Sequence, residues 1–335
     1  SEIVVSAENQ GNLDRLKAML FHALLKHDHS CARTNFGLYA GPGQGKSTIV
    51  RKFIQTVGLP YVQVQADSVK TPWQLWCNLK QMCERDGLTL EQKEGQYVLP
   101  PCFIWFDEVH ELPLKMRRGS LLNAMEASDL IMRVADPSAP DAVMTVVDCS
   151  EVCWICSTTD PGLLHRQSEA FYSRFSEHIT WHPAGQEEVA RIAGDHALKE
   201  GFQIPSDICH GMAFFQQNPR MACSMALQIA RYKAMRNCSW DQALKHIAKE
   251  SGYDELGLHK NHVKVLQILA KRPVARKNLA SMLHCRLEEM ESMILPSLLR
   301  RNALCVTSKG CMITEAGLQE LDKRNIRYER PKIVA

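Results

Sequence analysis

Apolar segments of two kinds alternate along the first half of this 335-residue chain. Short runs that are apolar throughout predict strands buried on both faces, and longer segments with apolar residues at helical spacing predict amphipathic helices. Strands are predicted at 34–40, 60–65, 102–107 and 152–158, and helices at 11–28, 45–56, 72–85 and 115–127. This alternation indicates an α/β domain over residues 1–181, with a parallel sheet and helices on both of its faces.

Two segments depart from the alternation. Residues 86–101 are polar, and we expect a loop there. Residues 129–149 hold two β-rich runs that are joined by Asp136-Pro137-Ser138-Ala139-Pro140. Proline and small polar residues between two apolar runs are typical of a turn, so this segment is predicted to be a hairpin that projects from the sheet.

The second half of the chain changes to helical spacing. Four helices are predicted within residues 182–255, and Pro219 stands at the first turn of one of them, where a missing N–H is tolerated. Residues 256–335 predict three helices, two short strands joined by Ser308-Lys309-Gly310, and a last helix. This is the order of a winged helix, a helix-turn-helix variant used on DNA, although a wing that binds protein has the same order.

Charge is distributed unevenly along the chain. The net charge is only +3, but from Leu258 to the end 15 Lys and Arg stand against 7 Asp and Glu. A basic terminal block on an acidic body suggests an anionic partner for that block. Lys309 lies at the predicted wing tip, and Arg300 and Arg301 end the third helix of the block, so these three side chains are the candidates for DNA contact.

Composition also bears on the cellular compartment in which the protein is expected. No apolar run approaches the length of a membrane span, and no leader segment is visible. The 13 cysteines show none of the spacing of small disulfide-stabilised domains, which indicates reduced thiols. We therefore expect a cytoplasmic protein that does not interact with a membrane.

The most specific motif is the glycine-rich segment between the first strand and the helix 45–56. Ala40-x4-Gly45-Lys46-Ser47 has the layout of a P-loop, in which backbone N–H groups surround phosphate oxygens at a helix N-terminus. Lys46 is placed to reach the β- and γ-phosphates, and Ser47 to bind Mg²⁺. The predicted nucleotide-binding residues of this loop are Gly41, Pro42, Gly43, Gln44, Gly45, Lys46, Ser47 and Thr48.

A second motif supplies the carboxylates that a P-loop enzyme needs. Residues 102–106 are apolar throughout and are followed by Asp107 and Glu108. In an open α/β sheet this strand end faces the same crevice as the P-loop. Asp107 is then placed to position Mg²⁺, and Glu108 to polarise an attacking water. The pair of motifs favours ATP or GTP hydrolysis over passive nucleotide binding.

Several segments, in the same order and with similar spacing, resemble those of the RuvB family of AAA+ ATPases, the motors of Holliday-junction branch migration. They are the P-loop, FDEVHEL at 106–112, LLNAMEASDLIMRV at 121–134, CSTTDPGLL at 156–164, Phe171–Phe175, Asn218–Ala222 and the wing SKGCMIT. The resemblance covers most of the chain. It implies a AAA+ domain of the P-loop NTPase class at 1–181, a helical lid domain at 182–255 and a winged-helix DNA-binding domain at 256–335.

The resemblance also implies roles for single residues, with ATP and Mg²⁺ as the ligands. Thr159, rather than Thr158, would orient the lytic water. Arg220 would reach the γ-phosphate from the lid, with Pro219 beside it in the nucleotide site. Arg174 would enter the site of the neighbouring subunit, where a guanidinium stabilises the charge on the phosphoryl oxygens.

The function implied by the resemblance is an ATP-dependent DNA motor that drives branch migration or remodels branched DNA. A catalytic arginine acting in trans requires a neighbour, so the working form is expected to be a ring, and a homo-hexamer is predicted. The hairpin 129–149 would hold a junction-recognition protein. Two alternatives remain open: a helicase loader or replication initiator that uses ATP as a switch, and a non-motor regulator whose winged helix binds protein.

Overall fold

The strands of the first half of the chain form two sheets. In chain order they are β1 (Phe36–Tyr39), β2 (Tyr61–Gln65), β3 (Glu91–Lys93), β4 (Gln96–Val98), β5 (Cys102–Asp107), β6 (Ile131–Val134), β7 (Thr145–Asp148), β8 (Val152–Thr158) and β9 (Glu177–Thr180). Five of them make a parallel sheet in the order β2-β5-β8-β1-β9. The other four make a second sheet in the order β3-β4-β7-β6.

The computed structural model describes residues 6–25, 35–138 and 144–328. It divides into two compact units, Ser1–Pro183 and Ala184–Ala335, here called the N-terminal and C-terminal units. Among the described residues, no helix is both long and apolar enough to cross a lipid bilayer.

Helices cover both faces of the parallel sheet, as the sequence predicts. They are α1 (Ala7–Leu25), α2 (Lys46–Val57), α3 (Pro72–Arg85), α4 (Leu114–Arg118), α5 (Ser120–Ala124), α6 (Pro161–Gln167) and α7 (Glu169–Tyr172). Apolar residues of α2 such as Phe53 join one core with Phe103, and those of α3 such as Trp76 join a second core with Ile104. Successive residues of β5 therefore point into different cores, which is why the strand is apolar throughout.

The loop predicted at 86–101 is wrong, because part of it forms the hairpin of β3 and β4. Glu94 and Gly95 connect the two strands with φ values of 50° and 82°, the left-handed conformations of a two-residue hairpin turn. β4 pairs in parallel with β7, about 50 residues further along the chain. That distant pairing stabilises a strand of three residues, which is too short to be predicted from its own sequence.

The segment 129–149 contains the two strands that its sequence predicts. β6 and β7 pair antiparallel, with Met132 opposite Val147, and both of these side chains are buried. The strands belong to the second sheet, since β7 also pairs with β4. Ala139 and Pro140 of the predicted turn lie outside the described residues, so the projection of the hairpin stays a prediction.

The C-terminal unit has the predicted succession of helices and wing strands. Its elements are α8 (Gln186–Lys199), α9 (Ser206–Phe215), α10 (Pro219–Arg236), α11 (Trp240–Glu250), α12 (Lys260–Leu269), α13 (Arg276–Met282), α14 (Leu287–Glu289), α15 (Leu295–Arg300), β10 (Leu304–Thr307), β11 (Gly310–Ile313) and α16 (Glu315–Asp322). The helices α8 to α11 share one apolar core, and the elements from α12 to α16 share another.

The third helix of the terminal block is interrupted. A π-helical turn, Met290–Ile294, separates α14 from α15, and Pro296 stands at the start of α15. Proline has no N–H and crowds the preceding turn, so it disfavours one regular helix over 287–300. In the wing, a Cβ added at Gly310 would lie 2.7 Å from backbone atoms of Val274, so only glycine fits there.

The four-helix part and the winged part are joined within the C-terminal unit. The guanidinium of Arg324, which is 8% exposed, donates to Asp254 at 2.6 and 3.1 Å and also pairs with Glu320. The predicted boundary at 255/256 passes beside Asp254. Whether residues 256–335 fold as a separate domain stays a prediction.

Candidate functional site

The register of the parallel sheet brings the two motifs to one edge. Asp107, the last residue of β5, lies opposite Ser157 of β8, and Tyr39 of β1 lies opposite Thr158. The P-loop follows β1 directly, and Thr159 follows β8. The carboxyl ends of three adjacent parallel strands therefore converge, and this is where open α/β sheets bind ligands.

The P-loop has the backbone shape that phosphate binding requires. Gly43 and Gly45 have φ values of 73° and 85°, and Gly45 directly precedes helix α2. The first N–H groups of a helix have no partner within the helix, so those of Lys46, Ser47 and Thr48 are available for phosphate oxygens. The left-handed glycines turn the chain so that the preceding loop curls over this helix end.

The side chain of Lys46 is buried in the site and held there by two polar contacts. Its side chain is only 6% exposed, and its Nζ donates to the carbonyl oxygen of Ala40 at 3.1 Å. The same Nζ lies 3.3 Å from Oε1 of Glu108. The ammonium group is thus paired with a carboxylate at the position that the β- and γ-phosphates occupy in P-loop proteins.

Ser47 and Asp107 meet at the metal position that the sequence predicts. The Ser47 hydroxyl donates to Oδ2 of Asp107 at 3.2 Å, and Gln63 of β2 donates to the same oxygen at 3.4 Å. A hydroxyl and a carboxylate beside a phosphate cradle are the hard oxygen ligands that Mg²⁺ prefers. The residues present therefore fit a magnesium ion.

Ser157 is a member of the site that the sequence analysis missed. Its hydroxyl is buried, donates to Oδ1 of Asp107 at 2.7 Å and accepts from the indole N–H of Trp105 at 2.9 Å. These contacts fix the orientation of the Asp107 carboxylate. The sequence feature that could have identified Ser157 is its place near the end of a second buried strand, directly before Thr158 and Thr159.

Glu108 is oriented by residues at the end of β8. Its Oε2 accepts from the Thr159 N–H at 2.9 Å and from the Thr159 hydroxyl at 3.1 Å. Its backbone has a φ of 50°, which turns the chain sharply after the strand. His110 lies close behind, with Nδ1 2.6 Å from the Thr158 hydroxyl and Nε2 3.2 Å from Glu111. Thr159, rather than Thr158, contacts the candidate base.

The two candidate arginines lie in different units. Arg174 follows α7 in the N-terminal unit, and its guanidinium pairs with the carboxylate of Glu126, a contact that the sequence analysis missed. Arg220 is exposed at the first turn of α10 in the C-terminal unit, next to Pro219. The roles of both arginines toward phosphate stay predictions.

The three DNA-contact candidates differ in their surroundings. Arg300 and Lys309 are exposed at the end of α15 and in the wing turn. Arg301 is half-buried, donates to the carbonyl oxygen of Gly257 at 3.1 Å and lies 5.3 Å from the ring centre of Phe214. The exposed pair is therefore the better choice for a first test.

Two protein-family models match separate segments of the chain. The model of the ATPase family associated with various cellular activities, AAA, matches residues 36–182. The model of the RuvB C-terminal winged helix domain matches residues 255–322. The parallel sheet, the P-loop and the paired carboxylates define an ATP-hydrolysing protein of the AAA+ class.

Individual relatives agree with this assignment. The chain is 24% identical over 293 residues to the Holliday junction branch migration complex subunit RuvB of Chlamydia abortus and to that of Lacticaseibacillus casei, spanning 85% of this chain and 80% of each relative. Its fold is similar to that of the Thermotoga maritima RuvB Holliday junction branch migration motor, with a TM-score of 0.72 and 18% identity over 97% of this chain and 96% of that one. The chain is a RuvB-like AAA+ protein.

Proposed function

We propose that this chain is an ATP-driven motor that moves branch points in DNA, working as a ring of identical subunits. The observation that carries the proposal is the presence, in one chain, of a P-loop with its paired carboxylates and of a winged helix that matches the RuvB C-terminal model. The basic charge of the terminal block supports contact with DNA. The hexameric state, a junction-recognition partner on the hairpin 129–149 and a cytoplasmic location remain part of the proposal.

The contacts of Glu108 suggest how the site prepares for hydrolysis. One carboxylate oxygen lies 3.3 Å from Lys46 Nζ, and the other accepts two hydrogen bonds from Thr159. When the phosphates of ATP attract Lys46, Glu108 loses its cation but keeps its orientation through Thr159. The freed carboxylate is then available to polarise a water molecule. Mg²⁺, held by Ser47 and Asp107, would neutralise charge on the phosphates.

A junction assay tests the proposed function directly. The full-length protein is incubated with a synthetic four-way DNA junction, with ATP, without nucleotide and with a non-hydrolysable analogue. We expect the junction to dissociate only in the reaction that contains ATP. The Lys46→Ala variant should not dissociate it under any of the three conditions. Dissociation with the analogue would contradict a motor and favour the ATP-switched loader, and ATP hydrolysis without any binding of DNA would favour the protein-binding regulator.

Replacing Ser157 with alanine should weaken the response to magnesium. The variant removes the 2.7 Å hydrogen bond that orients Asp107 and leaves the Trp105 N–H without its acceptor. Loss of a residue that orients a metal ligand commonly costs about 10–100-fold in metal affinity or activity. The magnesium concentration at half-maximal ATPase should rise, while nucleotide binding without magnesium is unchanged.

Thr56→Ala is the matched control for this experiment, because Thr56 is exposed near the end of α2 and its hydroxyl donates to the carbonyl oxygen of Lys52 in the same helix. It should leave the magnesium response unchanged. A Ser157→Ala enzyme with the same response as the parent would show that Asp107 is oriented without Ser157.

Replacing Arg300 and Lys309 together with alanine should weaken DNA binding. The slope of log affinity against log salt is negative, and each phosphate contact that is lost reduces its magnitude by about 0.9. The slope for the double variant should therefore become less steep by up to about 2, with ATPase activity in the absence of DNA unchanged. Binding is measured by fluorescence anisotropy over a salt series with a branched and a linear DNA.

The control is Lys245→Ala, since Lys245 is exposed on α11, outside the winged part. It should leave the slope unchanged. Equal slopes for the parent and the double variant would place the DNA contacts elsewhere, and the winged part would then be a candidate for protein docking.

A further inference from the structure

Arg174, the predicted arginine finger that would enter the neighbouring subunit's site, has a charged partner within its own subunit. Its Nη2 donates to Oε2 of Glu126, and the two side chains are 27% and 39% exposed. The Nε of Arg174 is buried and has no hydrogen-bond partner among the described residues. Among the same residues, Nη1 makes no hydrogen bond either, but it is not buried. One edge of the guanidinium is thus held by the carboxylate, and Nη1 is left for another ligand.

The backbone of Arg174 is held in place by well-packed neighbours. Arg174 lies between two fully buried aromatic residues, Phe171 and Phe175, whose rings are 5.4 Å apart. Its carbonyl oxygen accepts from the side chain of Asn35 at 3.3 Å. A rigid backbone fixes where the side chain starts, but a long arginine side chain still needs a partner to fix where its guanidinium lies.

Glu126 occupies the connection between α5 and the hairpin strand β6. Its carbonyl oxygen accepts from the N–H groups of Asp129 and Leu130 at 3.0 and 2.9 Å, which closes the turn that leads into the strand. Leu130 has a φ of 53°, so this turn is sharply bent. The ion pair therefore links the segment that carries Arg174 to the base of the hairpin 129–149.

We infer that Glu126 is the positioning residue of Arg174: it holds the guanidinium so that Nη1 can meet a phosphate of the nucleotide bound by the adjacent subunit. The inference rests on the proposed function, a ring of subunits, and on the predicted action of Arg174 in trans. A partly exposed ion pair stabilises a fold little, so the value of this pair lies in geometry.

The variant Glu126→Gln tests this in the full-length protein. It keeps the shape of the side chain but replaces the charge-assisted hydrogen bond to the guanidinium by a weaker neutral one, so the guanidinium is held less firmly. A misplacement of about 1 Å at a reacting centre can lower a rate about 10²-fold, so we expect kcat for ATP to fall at least about 10-fold. The KM for ATP, the melting temperature and the oligomeric state should be unchanged. Glu169→Gln, an exposed carboxylate on α7, is the matched control and should behave as the parent.

Mixed oligomers separate a positioning role from a structural one. Glu126→Gln subunits keep an intact pocket, so mixing them with Lys46→Ala subunits, which keep an intact finger, should restore part of the activity. Mixing them with Arg174→Ala subunits should restore none. Rescue by Arg174→Ala, no rescue by Lys46→Ala, or a loss of melting temperature that parallels the loss of activity would each overturn the inference.

Arg174→Ala alone distinguishes the two levels of the argument. If Arg174→Ala is inactive and Glu126→Gln is fully active, Arg174 keeps its role and only the positioning role of Glu126 is overturned. If Arg174→Ala itself hydrolyses ATP normally, the action of Arg174 in trans is wrong, and the inference about Glu126 is overturned with it.

Discussion

Glu108→Gln should bind ATP as tightly as the parent protein and hydrolyse it about 10²–10⁴-fold more slowly, the usual loss when a positioned base is removed. The amide oxygen of glutamine can still accept the two hydrogen bonds from Thr159, so the side chain should keep its place. What it loses is the negative charge that polarises water. Binding is measured with a fluorescent nucleotide analogue, and hydrolysis by phosphate release.

Lys46→Ala separates binding from chemistry in the same assays. The ammonium group is buried beside the P-loop, where it is predicted to be the main cation for the β- and γ-phosphates. Its removal should abolish nucleotide binding, and hydrolysis with it. The two variants therefore differ in which step they lose, although both are inactive.

Glu84→Gln is the matched control for Glu108→Gln, because it changes an exposed carboxylate near the end of α3, in the same unit. It should bind and hydrolyse ATP normally. Near-normal turnover in Glu108→Gln would remove Glu108 from the mechanism, and loss of nucleotide binding would show that its pairing with Lys46 shapes the empty pocket.

The elements that the sequence predicted best carry their information locally. β5 and β8 are apolar throughout, and the P-loop places its glycines, lysine and serine within a few residues. A strand that is buried on both faces is apolar at nearly every position, so it can be recognised from its own residues alone. The joint position of Asp107 and the P-loop also followed from sequence, because parallel strands end at one edge.

The elements that the sequence missed depend on distant pairing. β9 holds Glu177 and His178 and takes its place at the edge of the sheet by pairing with β1, about 140 residues earlier. β3 and β4 hold three residues each, and β7 supplies the second partner of β4. β9 and β3 are short and hold several polar residues, so their sequences lack the continuous apolar run that identifies β5.

Missing members of the site have the same origin. Ser157 contacts Asp107 from the adjacent strand, and Glu126 contacts Arg174 from the end of α5. Neither type of residue stands out in a sequence, because serine and glutamate are common and their partners lie about 50 residues away. In the terminal block, charge predicted a basic surface, but only the structure separates exposed Arg300 from half-buried Arg301.

Arg174→Ala should bind ATP normally and lose hydrolysis, since removal of an arginine that stabilises the transferred phosphoryl group costs about 10³–10⁵-fold in kcat. Arg174→Lys should recover little of this loss. Lysine keeps the positive charge, but its compact ammonium cannot bind Glu126 through one edge and a phosphate through the other. The comparison of the two variants therefore measures the importance of the guanidinium fork, with single-turnover hydrolysis as the readout.

Action in trans makes a further prediction that an arginine within its own site cannot share. Arg174→Ala subunits have an intact pocket, and Lys46→Ala subunits have an intact finger, so an oligomer of both should contain some complete sites. Each variant alone should be inactive, and the mixture should hydrolyse ATP at a rate that depends on the mixing ratio and peaks between the two pure proteins. Mass measurement of the mixture confirms that mixed oligomers form. If they form without any gain in activity, Arg174 acts in its own subunit or not at all, and the ion pair with Glu126 is then a surface contact of the folded subunit.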